Sequence, residues 1–212
     1  KNDPRVEDVE VPPDKIPNLV IGHDATRSGT YNKTTSSTGT FQNWGLIRCQ
    51  NETNNYGTGT TTSDNYNFTA DGTGVDFIVQ DSGIQTDHPE FQDSSGSNRW
   101  STVDWYTASG VSGSQNANHD RDYDGHGTHC AAIAVGKTFG HAQGAKIYSQ
   151  KLSGLEGTGD TGTGIAIADA FDCIKGWHNA KSGASAGRPT VVNMSWGYNT
   201  THNDLPSALN YQ

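Results

Sequence analysis

The chain has 212 residues, enough for one domain with a substantial core. Its 23 acidic against 14 basic side chains give a formal charge of -9 with no basic stripe, which argues against nucleic acid or an anionic membrane surface as a partner. With 26 glycines, many Ser, Thr and Asn, and 17% charged residues, the composition suits a loop-rich extracellular or assembly protein, and no apolar run approaches the roughly 18 residues of a membrane span.

The charged start Lys1–Arg5 has no apolar stretch behind it to make a signal peptide. A start without Met fits a processed product and a truncated chain equally. Residues 1–40 hold Pro4, Pro12, Pro13 and Pro17, an acidic patch from Glu7 to Glu10, and a Ser/Thr/Gly-rich run from Ser28 to Thr40. They read as an extended arm, linker or disordered tail, with a pro-segment remnant as a further reading. Aromatic density rises from Phe41, so 41–212 is taken as the folded part.

After the Asn/Thr/Gly loops of 50–73, the segment Val75–Asp81 carries the apolar run Phe77, Ile78 and Val79 and ends at a Ser-Gly turn, as a buried parallel strand would. Residues 127–135 predict a small-residue helix, 145–152 a strand, 163–181 a longer helix with Ile165, Ile167, Ala170, Phe171 and Ile174, and 190–194 a buried strand after Arg188-Pro189. Alternation of strand and helix is the signature of an α/β domain with a parallel sheet. Sites in such sheets gather at the carboxyl ends of the strands, where Asp81 falls.

The nine residues Asp122-Tyr-Asp-Gly-His-Gly-Thr-His-Cys130 bring carboxylates, imidazoles and a thiol together. Alone they allow either a metal nest or a proton carrier. Asp120, Asp122 and Asp124 imitate half a calcium loop, but Ala131 stands where an EF-hand needs its bidentate glutamate. Zinc through His126, His129 and Cys130 lacks both HExxH and paired Cys spacing. For His126, a helix start would lower the pKa, while a neighbouring Asp81 would raise it and fix the tautomer. Cys49, Cys130 and Cys173 match no zinc signature, and three buried thiols are expected ahead of one disulfide plus a free thiol. Gly183-Ala-Ser-Ala-Gly187 satisfies GxSxG, but a helix precedes it and a strand follows, the reverse of a nucleophile elbow. Asn193 heads a glycosylation sequon in a strand expected to be buried, where no glycan would fit.

Three blocks in order, Val79-Gln-Asp-Ser-Gly-Ile-Gln-Thr-Asp-His-Pro-Glu-Phe91, His126-Gly-Thr-His-Cys-Ala131 and Val191-Val-Asn-Met-Ser-Trp-Gly197, resemble the aspartate, histidine and substrate-strand blocks of subtilisin-like serine proteases. Trp44-Gly-Leu-Ile-Arg48 and the thiol after the histidine motif resemble the proteinase K branch. The resemblance implies a subtilisin-like three-layer fold with a mostly parallel central sheet, incomplete in this chain. It implies Asp81 as the orienting carboxylate, His126 as the general base of a peptide-hydrolysing triad, and His129 and Cys130 as helix packing. Gly157, Thr158 and Gly159 would form one edge pairing with an extended peptide, and Ser195, Trp196 and Gly197 the other, with Trp196 either shaping a pocket or filling core. No cofactor is implied beyond a structural calcium that relatives often bind. The Gly-Thr-Ser-Met-Ala block that carries the nucleophile, and the oxyanion-hole asparagine before it, do not occur in the 212 residues. Ser195 matches the substrate edge and is not promoted in its place. The partners expected are a peptide or protein substrate and the rest of the catalytic domain. The alternative is a non-catalytic or single-use, self-processing module of a larger extracellular or virion-like assembly.

Overall fold

A computed structural model describes residues 70–155, 157, 160 and 162–197, together with Gly29–Asn32, Leu46, Cys49 and Asn65–Phe68. Its main sheet has four parallel strands, β3 (Asp76–Asp81), β4 (Trp100–Ser101), β5 (Lys146–Lys151) and β6 (Thr190–Asn193), in the order β4-β5-β3-β6. Strand β3 pairs with β5 from Asp76↔Lys146 to Asp81↔Lys151, and with β6 from Asp76↔Thr190 to Val79↔Asn193. A separate antiparallel ribbon joins β1 (Gly29–Asn32) to β2 (Asn65–Phe68), so part of the stretch expected as an arm carries a strand. The rest of 1–40 lies outside the described residues.

The helices are α1 (Trp105–Ser109), α2 (His126–Val135) and α3 (Ile167–Asn179). Strand periodicity divides the core between them, because successive side chains leave opposite faces of a sheet. Ile78 and Tyr148 face α1 and α3, packing with Trp105, Tyr106, Ala170, Cys173 and Ile174. Their neighbours Val79 and Ile147 face α2, packing with Phe91, Ala131 and Val135. The result is the helix–sheet–helix arrangement expected from the alternating pattern. Among the described residues, no helix is long and apolar enough to cross a membrane.

Several boundaries differ from expectation. The helix expected from 163 starts at Ile167, because Thr163 is held by Asp160 and Ile165 bridges to Leu152. Strand β6 stops at Asn193 and is less buried than predicted, with Val191 48% and Met194 44% exposed; among the described strands it is the edge next to β3, so its outer face has no neighbour. Only Cys173 of the three thiols is buried; Cys49 is exposed, Cys130 is half-buried, and none is in a disulfide. The GxSxG segment forms a short 3-10 turn, Gly183–Ser185, between α3 and β6.

Candidate active site

Strand β3 delivers Asp81 to the carboxyl edge of the sheet, and α2 begins at His126 directly above it. The approach is close. A β-carbon on Gly127 would lie 2.1 Å from the Gly83 carbonyl oxygen and 3.1 Å from the Asp81 β-carbon, so only glycine permits this packing. Asp81 is 1% exposed, and its Oδ1 accepts from the Ser82 N–H (2.7 Å) and lies 2.8 Å from His126 Nδ1. His126 itself is half exposed. A proton on Nδ1 satisfies the buried carboxylate and leaves Nε2 as an acceptor.

The hydrogen bond that His126 donates to Asp81, and then the charge of that carboxylate, push the His126 pKa above the ordinary histidine value, with smaller help from Asp124 and Asp122 against partial desolvation. The upward direction is the one expected from a neighbouring Asp81, which meets the imidazole at hydrogen-bond distance.

A second set of bonds fixes the helix start. Ser82 Oγ donates to Asp122 Oδ1 (2.9 Å) and accepts from the Gly127 N–H (2.9 Å). Asp122 Oδ1 also accepts from the Asp124 and Gly125 N–H groups (3.1 and 2.8 Å), and its Oδ2 accepts from the Thr128 N–H and Oγ1 (2.9 and 2.5 Å). Burial draws the Asp122 pKa up, but the donors Thr128, Gly125 and Ser82 outweigh it and hold the carboxyl below its usual range. Sequence reading offered Asp122 as a loop carboxylate or calcium ligand; its oxygens instead serve as the acceptors for orphan N–H groups at the start of α2. Asp120 lies 3.2 Å from His119. Asp122 is thus engaged by protein donors on both oxygens, whereas Asp120 Oδ1 is buried with no hydrogen-bond partner among the described residues. The Ser82–Asp122 link was missed from sequence, where the Ser-Gly after Asp81 read only as a turn.

His129 does not pack as expected. The buried face of α2 is Gly127, Ala131 and Val135, and two residues from Gly127 is about 200° around the helix, so His129 is exposed. The zinc set of His126, His129 and Cys130 is therefore not assembled. Asp81, His126 and Cys130 do come together, each offering a ligand atom within 4.8 Å of the others. A metal there would have to compete with the Asp81–His126 bond and take a thiolate, whereas burial pushes the Cys130 thiol pKa up. Its Sγ lies against the imidazole, 3.8 Å from Nδ1 and 3.9 Å from Nε2.

His126 opens onto a cleft of about 380 Å³ lined also by Asp124, Gly154, Leu155, Ser195, Trp196 and Gly197. The structure thus gathers the expected second edge, Ser195–Gly197, around the same hollow as Asp81 and His126. Trp196 packs against the α1–α3 core cluster and also lines the cleft. Of the first edge, Gly157 is described and lies against the 123–124 backbone, while Thr158 and Gly159 lie outside the described residues.

Residues 72–212 match the Subtilase family, Peptidase S8. A cuticle-degrading serine protease of Arthrobotrys oligospora is 37% identical over 136 residues, covering 62% of this chain and 28% of its own. The subtilisin-like serine protease Pen c 1 of Penicillium citrinum is 34% identical over 198 residues, covering 92% of this chain and 39% of its own. Among solved structures, a cold adapted subtilisin-like serine proteinase is similar with a TM-score of 0.52 and 26% identity, over 79% of this chain and 50% of that one. The chain therefore spans well under half the length of these curated relatives.

Proposed function

Because the chain belongs to the subtilase family, we propose that it supplies the base, the orienting carboxylate and a substrate edge of a serine endopeptidase. The observation that carries this reading is the 2.8 Å contact between buried Asp81 and half-exposed His126 at the rim of the Ser195–Gly197 cleft. In this reading His126 Nε2 takes the proton from a serine hydroxyl outside these 212 residues as that oxygen attacks a peptide carbonyl. The imidazolium then returns the proton to the departing amine. Asp81 keeps Nδ1 protonated and stabilises the cation that forms between the two transfers.

An extended peptide would lie along the backbone of Ser195–Gly197, with Gly157, Thr158 and Gly159 on its other side. Main-chain pairing of that kind gives affinity with little dependence on sequence. The fungal relatives, one of them named for degrading cuticle, support a protein substrate and an extracellular setting. Calcium has no part in this reading.

The test is casein turnover by the product of the full coding sequence, as wild type and as His126→Ala. Turnover lost by roughly 10⁴-fold or more in the variant is the expected result. Equal rates for both would overturn the assignment of His126.

A further inference from the structure

Lys151 is the last residue of β5 and the register partner of Asp81, so it stands at the site's edge of the sheet. Its side chain is 0% exposed. A lysine so placed is costly unless its amine is fully engaged, and here three groups engage it. Nζ donates to the Arg121 carbonyl (2.6 Å), pairs with the buried Asp160 carboxylate, and lies 5.0 Å from the centre of the Tyr123 ring. Asp160 in turn has Thr163 Oγ1 2.9 Å from both its oxygens, and its N–H donates to the Gly157 carbonyl (3.0 Å). The two loops so joined touch directly, because a β-carbon on Gly157 would meet the Tyr123 carbonyl carbon at 2.5 Å and the Asp124 nitrogen at 2.6 Å.

One side of this arrangement leads through residues 121–125 into His126; the other is the loop that contains the first expected substrate edge. We infer that the Lys151–Asp160 pair is a positioning strut, fixing the loop at Gly157, the described residue of the expected substrate edge, relative to the segment that carries the base. Neither residue contacts the reacting atoms. Their effect is on where an extended peptide lies with respect to His126, and it rests on the function proposed above. An apolar pair of similar size could fill the space, but it could not hold the Arg121 carbonyl and the Thr163 hydroxyl at once.

The strut makes a prediction that a purely structural role does not. Losing it should penalise a long substrate, which uses the edge, more than a short one, which does not. In the full-length protein, Asp160→Asn and Lys151→Met should lower kcat/KM for a tetrapeptide amide about tenfold more than for a single-residue ester, chiefly through KM, and Lys151→Arg should recover part of the loss. An equal loss on both substrates, as a smaller folded fraction would give, overturns the inference. Amide hydrogen exchange on the same proteins supplies a readout independent of catalysis. In Asp160→Asn, exchange should quicken in both 121–125 and 157–163 while β3 and β5 are unchanged. If only 157–163 or neither loop responds, the strut is refuted. A wild type that cleaves nothing counts against the proposed function, and the exchange result then decides the strut by itself.

Discussion

Gly127 and Gly83 are in such close contact that a β-carbon on the first would sit 2.1 Å from the carbonyl oxygen of the second. That contact sets the height of α2 above the end of β3, and so the distance from His126 to Asp81. Gly127→Ala must therefore lift the helix start. Overpacking of this kind costs about 1–3 kcal/mol, and the displaced imidazole should lower kcat roughly 10²-fold. Thermal unfolding and turnover of the full-length variant check both figures.

The pH–rate profile follows from the same pair. In the proposed reading His126 acts only when neutral, and Asp81 raises its pKa, so the acidic limb of kcat/KM should lie above the ordinary histidine value of about 6.5. Asp81→Asn removes both the charge and the preferred tautomer. It should move that limb to lower pH and reduce kcat about 10⁴-fold. For stability the sign is separate. A histidine with a raised folded pKa stabilises the fold fully below its unfolded pKa, and this contribution fades as the pH rises through the folded value.

Asp122 behaves in the opposite sense. Its folded pKa is depressed, so its stabilisation is present above the unfolded value of about 3.9 and is lost as the pH falls through the folded one. Asp122→Ala removes the acceptor of the Thr128 N–H and of the Asp124 and Gly125 N–H groups that lead into α2, and should cost about 1–2 kcal/mol at neutral pH. Denaturant unfolding at pH 7 and again at pH 3 checks this: the gap between variant and wild type should narrow at the lower pH.

The thiols order themselves by exposure. Cys49 is exposed, Cys130 is half-buried against His126, and Cys173 is enclosed between α1 and α3. Burial raises the thiol pKa of Cys130 and of Cys173, which lowers the thiolate fraction on which alkylation depends. Iodoacetamide at pH 7 should therefore modify Cys49 first, then Cys130, and Cys173 only on unfolding, as followed by peptide mass spectrometry.

What sequence could and could not reveal follows from where each signal resides. Strands β3 and β5 and helix α2 were legible because apolar runs and small-residue spacing are local, and Asp81 was placed at a strand end for the same reason. Strand β4 is two residues long and exists through its pairing with β5, so no local pattern announces it. Helix α1 is five residues long and depends on the Asp104 side chain accepting from the Thr107 N–H. His129 was misread because a motif gives residue types, whereas burial depends on which helix face meets the sheet. Lys151 offered a signal that went unused: a lysine at the end of a strand expected inside the sheet needs a partner, and Asp160 lies nine residues on. Ser82–Asp122 offered none, since the two are 40 residues apart and meet only through the fold.

The central claim is that His126, oriented by Asp81, is the base for a serine nucleophile. A fluorophosphonate probe on the product of the full coding sequence, with the labelled residue mapped by mass spectrometry, tests it most directly. The account predicts one labelled serine, outside residues 1–212, whose labelling rate falls by roughly 10³-fold or more in His126→Ala and also falls in Asp81→Asn. No labelled serine, a label on Ser195, or an unchanged rate in His126→Ala would contradict it.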